Sequence, residues 1–273
     1  MTAHPHDMDE RQYTFLQHLL TARTGIRFRD RAHLSVKLAR RLRVLKLEDF
    51  DQYIALIRQE PGEIPNAIEA VTTNETFFCR DSVHLAALER HLDSHLDQGR
   101  TYRIWSAASS SGEEVYSIAM TVHAWAETRR IPLRNIKITG SDIDRSVLRR
   151  AMHGVYHRYQ VERTPKEYTS FVLNYLERDN GDYYRIKPHI RDMVVFKRFN
   201  LTQPLPFSHS LDVIFCRNVF LYFSQELRKK ILAGMLKALG PEGLLIMGLC
   251  ESMPYDLPHG FKYTGHSMYI KTH

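Results

Sequence analysis

Apolar residues recur at helical spacing from near the start of the chain. Phe15, Leu16, Leu19 and Leu20 form one stripe, which stops at Thr24-Gly25. Leu34, Leu38, Leu42 and Leu45 form a second, and Phe50, Tyr53, Ile54 and Ile57 a third that Pro61-Gly62 breaks. No alternating run interrupts them, so the spacing predicts an all-helical segment over about 7–72. Leu85, Leu88, Leu92 and Leu96 predict one more amphipathic helix over 83–97. His91 and His95 lie one turn apart on it, and without a third ligand they read as a polar, exposed face rather than a metal site.

From about residue 101 the period switches between two and 3.6. Strands are expected at 102–108, 136–141, 193–199, 211–216 and 243–249, with helices at 113–127, 144–152, 165–177 and 224–238. The last helix is expected to end at Gly240-Pro241. A hairpin over about 261–265 and 267–271 closes the series. Asn180-Gly181 is a two-residue turn signal, and it predicts a small antiparallel excursion inserted at about 178–196. The alternation with late antiparallel strands indicates an α/β fold, a doubly wound mixed sheet with an antiparallel edge. Three segments follow: a helical domain over 1–72, a linker and helix over 73–100, and a sheet domain over 101–273.

Composition changes this picture little. Of 273 residues, 43% are hydrophobic and 25% charged, the balance of an ordinary globular protein. No apolar run approaches the roughly 18 residues of a membrane helix. The amino-terminal stretch MTAHPHDMDER is polar and acidic, unlike a secretory signal. Three widely spaced cysteines, Cys79, Cys216 and Cys250, argue against a disulfide framework or zinc ribbon and for a reducing, cytoplasmic setting.

Charge is more informative. The net charge of +7 implies an anionic partner. From Arg27 to Lys46 eight Lys or Arg stand against one acid, Asp30, so the excess is concentrated on one helix carrying Lys37, Arg40, Arg41 and Arg43. A solvated helix face is the plain explanation. Docking on an acidic protein surface is the functional one, and it is preferred to nucleic acid because no aromatic residues interleave for base stacking.

The candidate chemistry centres on 102–120, YRIWSAASSSGEEVYSIAM: strand, a turn of small residues, then helix. Ser109 to Gly112 let a ligand approach the backbone closely, whereas Glu113 and Glu114 repel phosphate. Asp142 ends the next strand, where an acid holds ribose hydroxyls in nucleoside-binding βαβ units. A nucleoside without a phosphate site points to S-adenosylmethionine rather than NAD or ATP. Ligands of such sheets lie at the carboxyl ends of the strands, here Ser106 to Glu114, Asp142, Asn200 and Arg217-Asn218.

Five stretches in order, NETFFCR (74–80), SAASSSGEEVYSIAM, SDID, FNL and LDVIFCRNVFLYF, resemble the CheR family of chemotaxis receptor methyltransferases over nearly the whole chain. The resemblance implies methyl transfer from S-adenosylmethionine, with S-adenosylhomocysteine as product, to glutamate side chains on the cytoplasmic helical domain of chemoreceptors. It implies that Asn74, Thr76 and Arg80 contact cofactor and substrate, that Glu114 and Asp142 hold the cofactor, and that Asn200-Leu201 border its adenine. Arg217-Asn218 would close over it, and Tyr222 would lie near the transferred methyl. Arg80 and Tyr222 are the candidates for orienting the incoming carboxylate. The basic helix would face the receptor, and the small inserted sheet resembles one that grips a receptor peptide in some members. Val115 replaces a usual proline, and Gly248-Leu249-Cys250-Glu251 keeps only the ends of a family tetrapeptide, so no role is assigned there. A cytoplasmic monomer without nucleic-acid partner or membrane insertion is expected. A nucleic-acid methyltransferase and a non-catalytic S-adenosylmethionine sensor remain the alternatives.

Overall fold

A computed structural model describes residues 7–96, 99–207, 210–254 and 260–272. The first six residues of the polar amino-terminal stretch, and position 97 of the expected helix 83–97, lie outside these ranges. The chain divides into two compact units, one of residues 1–73 with 222–228 and one of 74–221 with 229–273.

In the first unit, α1 (Glu10–Thr24), α2 (Arg31–Leu45), α3 (Phe50–Gln59) and α4 (Ile64–Val71) follow one another, with a 3-10 turn over Pro61–Glu63. Asp9, Asp30 and Asp49 start the first three by accepting the N–H of Gln12, His33 and Gln52, which satisfies donors a helix start leaves free. The core is the expected stripes: Leu16, Leu20, Leu34, Leu38, Leu42, Phe50, Tyr53 and Ile57. One carboxylate is buried among them. Glu63 accepts both Arg41 nitrogens (2.7 and 2.8 Å), the Tyr53 hydroxyl (3.1 Å) and the Asn66 amide (2.7 Å). That satisfaction is what makes a buried charge tolerable.

The second unit opens with α5 (Val83–His95), then β1 (Tyr102–Ala107), α6 (Glu113–Arg129), β2 (Ile136–Asp142) and α7 (Arg145–His153). Next come β3 (Val155–His157), α8 (Arg158–Glu162), α9 (Lys166–Asn174), β4 (Leu176–Arg178), β5 (Tyr183–Ile186) and α10 (Pro188–Arg191). β6 (Val194–Arg198), β7 (Leu211–Cys216), α11 (Gln225–Ala238), β8 (Leu239–Met247), β9 (Phe261–Gly265) and β10 (Met268–Lys271) complete the chain. The central sheet has the order β6-β2-β1-β7-β8-β10-β9. Its first five strands are parallel, β10 runs antiparallel to β8, and β9 runs antiparallel to β10. β7 is buried at every position, as a strand covered on both faces must be.

Three details depart from the sequence reading. The small antiparallel sheet is β3-β5-β4 and spans 155–186, not 178–196; Met193 to Phe196 leads into β6, which pairs with β2 in the central sheet. The helix before Gly240-Pro241 ends at Ala238 as expected, but β8 begins at Leu239 rather than at 243, so Gly240-Pro241 lies within that strand, next to a register shift against β7. His91 is buried, not exposed. Its Nδ1 meets the Tyr102 hydroxyl, its Nε2 bonds the Glu242 carbonyl at 2.9 Å, and burial lowers its pKa to about 4, which keeps it neutral.

Candidate functional site

The turn between β1 and α6 is held from three sides. Ala108, Ser110 and Gly112 all have positive φ (58°, 49° and 97°), which folds the turn tightly. Only glycine suits position 112, since a Cβ there would lie 2.8 Å from Ala151 Cβ and 3.0 Å from the Tyr156 hydroxyl. Ser110 N–H donates to Asp142 Oδ2 (2.9 Å), and its hydroxyl donates to the Asn74 carbonyl (3.2 Å). Asn74 donates in turn to Asp144 Oδ2 (2.8 Å), whose other oxygen caps α7. Asp144 N–H returns to Asp142 Oδ1 (2.9 Å). Asn74, Ser110, Asp142 and Asp144 thus form one closed set. Burial pushes the Asp142 carboxyl up to about 6 despite the backbone donors that pull it down.

A second set gathers on Arg217. Its guanidinium reaches Asp81 Oδ2 (2.6 Å), the Arg80 carbonyl (2.8 Å) and Glu114 Oε2 (3.1 Å), while Ser106 donates to Glu114 Oε1 (2.7 Å). Arg217 therefore ties the linker to α6, and Glu114 is held as its counter-ion. Cys79 and Asp81 are left-handed (φ 55° and 51°), an uncommon state for residues with a side chain. The Cys79 N–H bonded to Ser117 Oγ (2.9 Å) and the Arg217–Asp81 pair fix those bends.

Around the same linker, Arg163 pairs with Glu75, and the Phe77 ring lies 5.5 Å from both the Arg80 and the Arg163 guanidinium carbon. Arg80 donates to the Glu75 carbonyl (3.1 Å), and Thr76 is half-buried beside it. Asn200 follows Phe199, whose N–H bonds the Asp142 carbonyl (2.9 Å), so Asn200 and buried Leu201 begin where β2 ends. Tyr222 ends a 3-10 turn over Phe220–Tyr222 and belongs to the helical unit, its carbonyl accepting Arg27 N–H at 2.8 Å.

Sequence reasoning passed over Glu251. Buried, it accepts the N–H groups of Asn218 (2.8 Å), Phe220 (2.9 Å) and Gly248 (2.9 Å), so it holds the turn carrying Arg217-Asn218. Glu113 was likewise read only as a helix-start acid. It is buried, bonds Ser111 Oγ and Gln160, and has a carboxyl raised by burial.

Parallel strands with a serine-lined turn after β1 and an acid ending β2 form a Rossmann-like, nucleoside-binding arrangement. Residues 11–72 match the CheR methyltransferase all-alpha domain, and residues 74–270 match the CheR methyltransferase SAM binding domain. Chemotaxis protein methyltransferase 2 of Pseudomonas aeruginosa is 36% identical over 85% of this chain and 82% of its own. The chemotaxis protein methyltransferase of Escherichia coli is 34% identical over 96% and 91%. A solved S-adenosylmethionine-dependent methyltransferase from Methanosarcina mazei overlaps 57% of this chain and 55% of its own at 17% identity, with a TM-score of 0.33, too low to add to this. The chain belongs to the CheR methyltransferase family, and it is an S-adenosylmethionine-dependent methyltransferase of chemotaxis.

The residues present fit that cofactor. Ser109 Oγ and Arg217 Nε are buried without a hydrogen-bond partner at the ends of β1 and β7, and an amino acid moiety offers partners of both kinds. Acids at the start of α6 suit a cationic ligand and oppose phosphate. Among the described residues no helix is long and apolar enough to cross a membrane.

Proposed function

We propose that the methyl acceptors are glutamate side chains on the cytoplasmic helices of chemoreceptors, and that the product is a glutamyl methyl ester. The observation carrying this reading is the contrast between two arginines. Arg217 faces two carboxylates, whereas the Arg80 guanidinium is held by a carbonyl and an aromatic face. Among the described residues, then, no bonded acid neutralises its charge, which suits an incoming carboxylate.

A glutamate is already ionised at neutral pH, with an ordinary pKa near 4.3, so the transfer needs no general base. Bound S-adenosylmethionine supplies an electrophilic sulfonium methyl. Asn74, Asp142 and Asn200-Leu201 would hold its nucleoside, and Ser109 with Arg217 its amino acid end. The work of the chain is alignment and exclusion of water, because opposite charges meet in the step and water opposes their approach. Arg80 orients the acceptor carboxylate, loosely enough to leave an oxygen lone pair reactive.

On the helical unit, Arg40 and Arg43 are exposed, with Val36 and Val44 beside them at 75% and 60% exposure. That stripe suits the acidic face of a receptor helix. Lys37 and Arg41 contribute less to it. Lys37 bonds the Thr72 carbonyl and Thr73 hydroxyl (3.1 and 2.8 Å), and Arg41 bonds Glu63.

The test offers the enzyme labelled cofactor with receptor cytoplasmic fragments and RNA side by side. Label on the fragment, released as methanol by mild base, is expected. Label on RNA, or base-stable label on protein, would overturn the reading.

A further inference from the structure

We infer that the outer edge of the central sheet docks an acidic, extended polypeptide segment. β6 ends the sheet and is paired with β2 alone among the described residues, so its other edge can take a further strand. Beside it, α7 and β6 enclose a cleft of about 180 Å³ lined by Arg145, Leu148, Arg149, Met152, Phe196 and Arg198. The floor is apolar and the rim cationic. Met152 is 52% exposed, and Val195, on the opposite face of β6, is 53% exposed. Arg150 and Lys197 are exposed nearby and extend the positive field.

Among the described residues Arg149 has no ion pair and Arg198 bonds the Ile143 carbonyl (3.4 Å), so these two carry the positive charge of the rim. Asp142 is buried and accepts the N–H groups of Ser110 and Asp144, while Asp144 is buried and bonds Asn74 and the start of α7. A partner with carboxylates along its length and an apolar side chain for the cleft matches both features. A nucleic acid matches only the charge. Its backbone cannot extend a sheet, and Phe196 is turned against Tyr116 at 5.7 Å rather than offered for stacking. None of these residues belongs to the methyl-transfer site, so the surface is independent of which acceptor the enzyme methylates.

The experiment is fluorescence anisotropy with the full chain and a labelled peptide, Glu-Glu-Val-Glu-Leu-Glu-Val-Glu-Glu. Binding is expected to weaken with salt. It should fall at least about tenfold, which corresponds to about 1.4 kcal/mol, in an Arg149→Glu, Met152→Glu variant. It should fall similarly when alternate peptide nitrogens of the probe are methylated, since that removes the donors a strand needs. Calorimetric affinity for S-adenosylmethionine in the variant should match the parent, showing that the site and fold persist. Absent peptide binding, undiminished binding by the variant or by the methylated peptide, or preference for a nine-nucleotide oligothymidylate would each overturn the inference.

Discussion

Arg217 places one guanidinium nitrogen 2.6 Å from Asp81 Oδ2, with its side chain only 3% exposed. The same side chain carries the Glu114 pair, so a single cation sits between two acids drawn from different segments. Removing one partner of a buried ionic group costs far more than the group's net worth, because the others are left uncompensated.

Arg217→Met is therefore expected to destabilise the enzyme by about 3–5 kcal/mol. Cofactor affinity should fall with it, since the linker that brings Asn74 to Asp144 loses its anchor. Denaturant titration and calorimetry measure the two effects. A variant within about 0.5 kcal/mol of the parent, the ordinary range for surface changes, would sink the anchoring role.

Glu251 offers a second, milder test. Truncation in Glu251→Ala leaves the N–H groups of Asn218, Phe220 and Gly248 without their acceptor. A loss of about 2–3 kcal/mol is expected, since a charged acceptor is removed from several donors and water can re-enter in part. For a chain of this size that is a Tm drop of roughly 4–12 °C. Gly248→Ala should act through the same turn, because its Cβ would lie 2.8 Å from Asn218 Nδ2 and 2.9 Å from Glu251 Oε2. Two unaltered melting curves would show that the turn holds itself.

The pH dependence of cofactor binding follows from Asp142. Its folded-state pKa of about 6 lies above the ordinary 3.8, so its contribution to stability is full below pH 3.8 and is lost as pH rises through about 6. Holding ribose hydroxyls needs the ionised form, which runs the opposite way. Affinity for S-adenosylmethionine is expected to be roughly tenfold weaker at pH 5 than at pH 7. Asp142→Asn should weaken binding and flatten that dependence. Calorimetry across pH 5–8 decides, and an unchanged slope in the variant assigns the titration elsewhere.

What could be read in the chain beforehand follows from how local each signal is. Leu34, Leu38 and Leu42 announce α2 because a helix buries residues three and four apart, and Ile104 with Val213 announce the sheet because β1 and β7 are mainly apolar, broken by Arg103, Ser106 and Asp212. The strands Val155–His157 and Leu176–Arg178 have three residues each, too few for a period, so the pattern points to the apolar Met193 to Phe196, whose last three residues belong to β6. His91 was legible after all. It follows Leu88 by three residues and His84 by seven, on the stripe that faces the core. Glu251 and Asp81 were not, since each gains its meaning from N–H groups or a guanidinium far away in the chain. Ser109, Ser110 and Asp142 stood out as small residues and an acid at strand ends, but the bonds from Asn74 that close the set exist only in three dimensions.

The basic helix allows fold and docking to be separated residue by residue. Arg41 binds buried Glu63 through two nitrogens, and the Tyr53 hydroxyl and Asn66 amide share that carboxylate. Arg41→Met should thus cost about 2–4 kcal/mol in the helical unit, below a fully buried pair because the Arg41 side chain is 19% exposed. Arg40 and Arg43 are exposed, and Arg40→Glu with Arg43→Glu should leave the melting temperature within about 1–2 °C of the parent. If these two arginines meet acidic receptor helices, the same pair of changes lowers methylation of receptor fragments at least about tenfold at low salt and leaves cofactor affinity intact. Raising the salt should narrow that gap, because exposed charges are screened within about 10 Å at 0.1 M. Equal methylation rates for the charge-reversed and parent enzymes at low salt would remove α2 from substrate recognition. An effect that persisted undiminished in high salt would assign it to a short-range contact instead of the field.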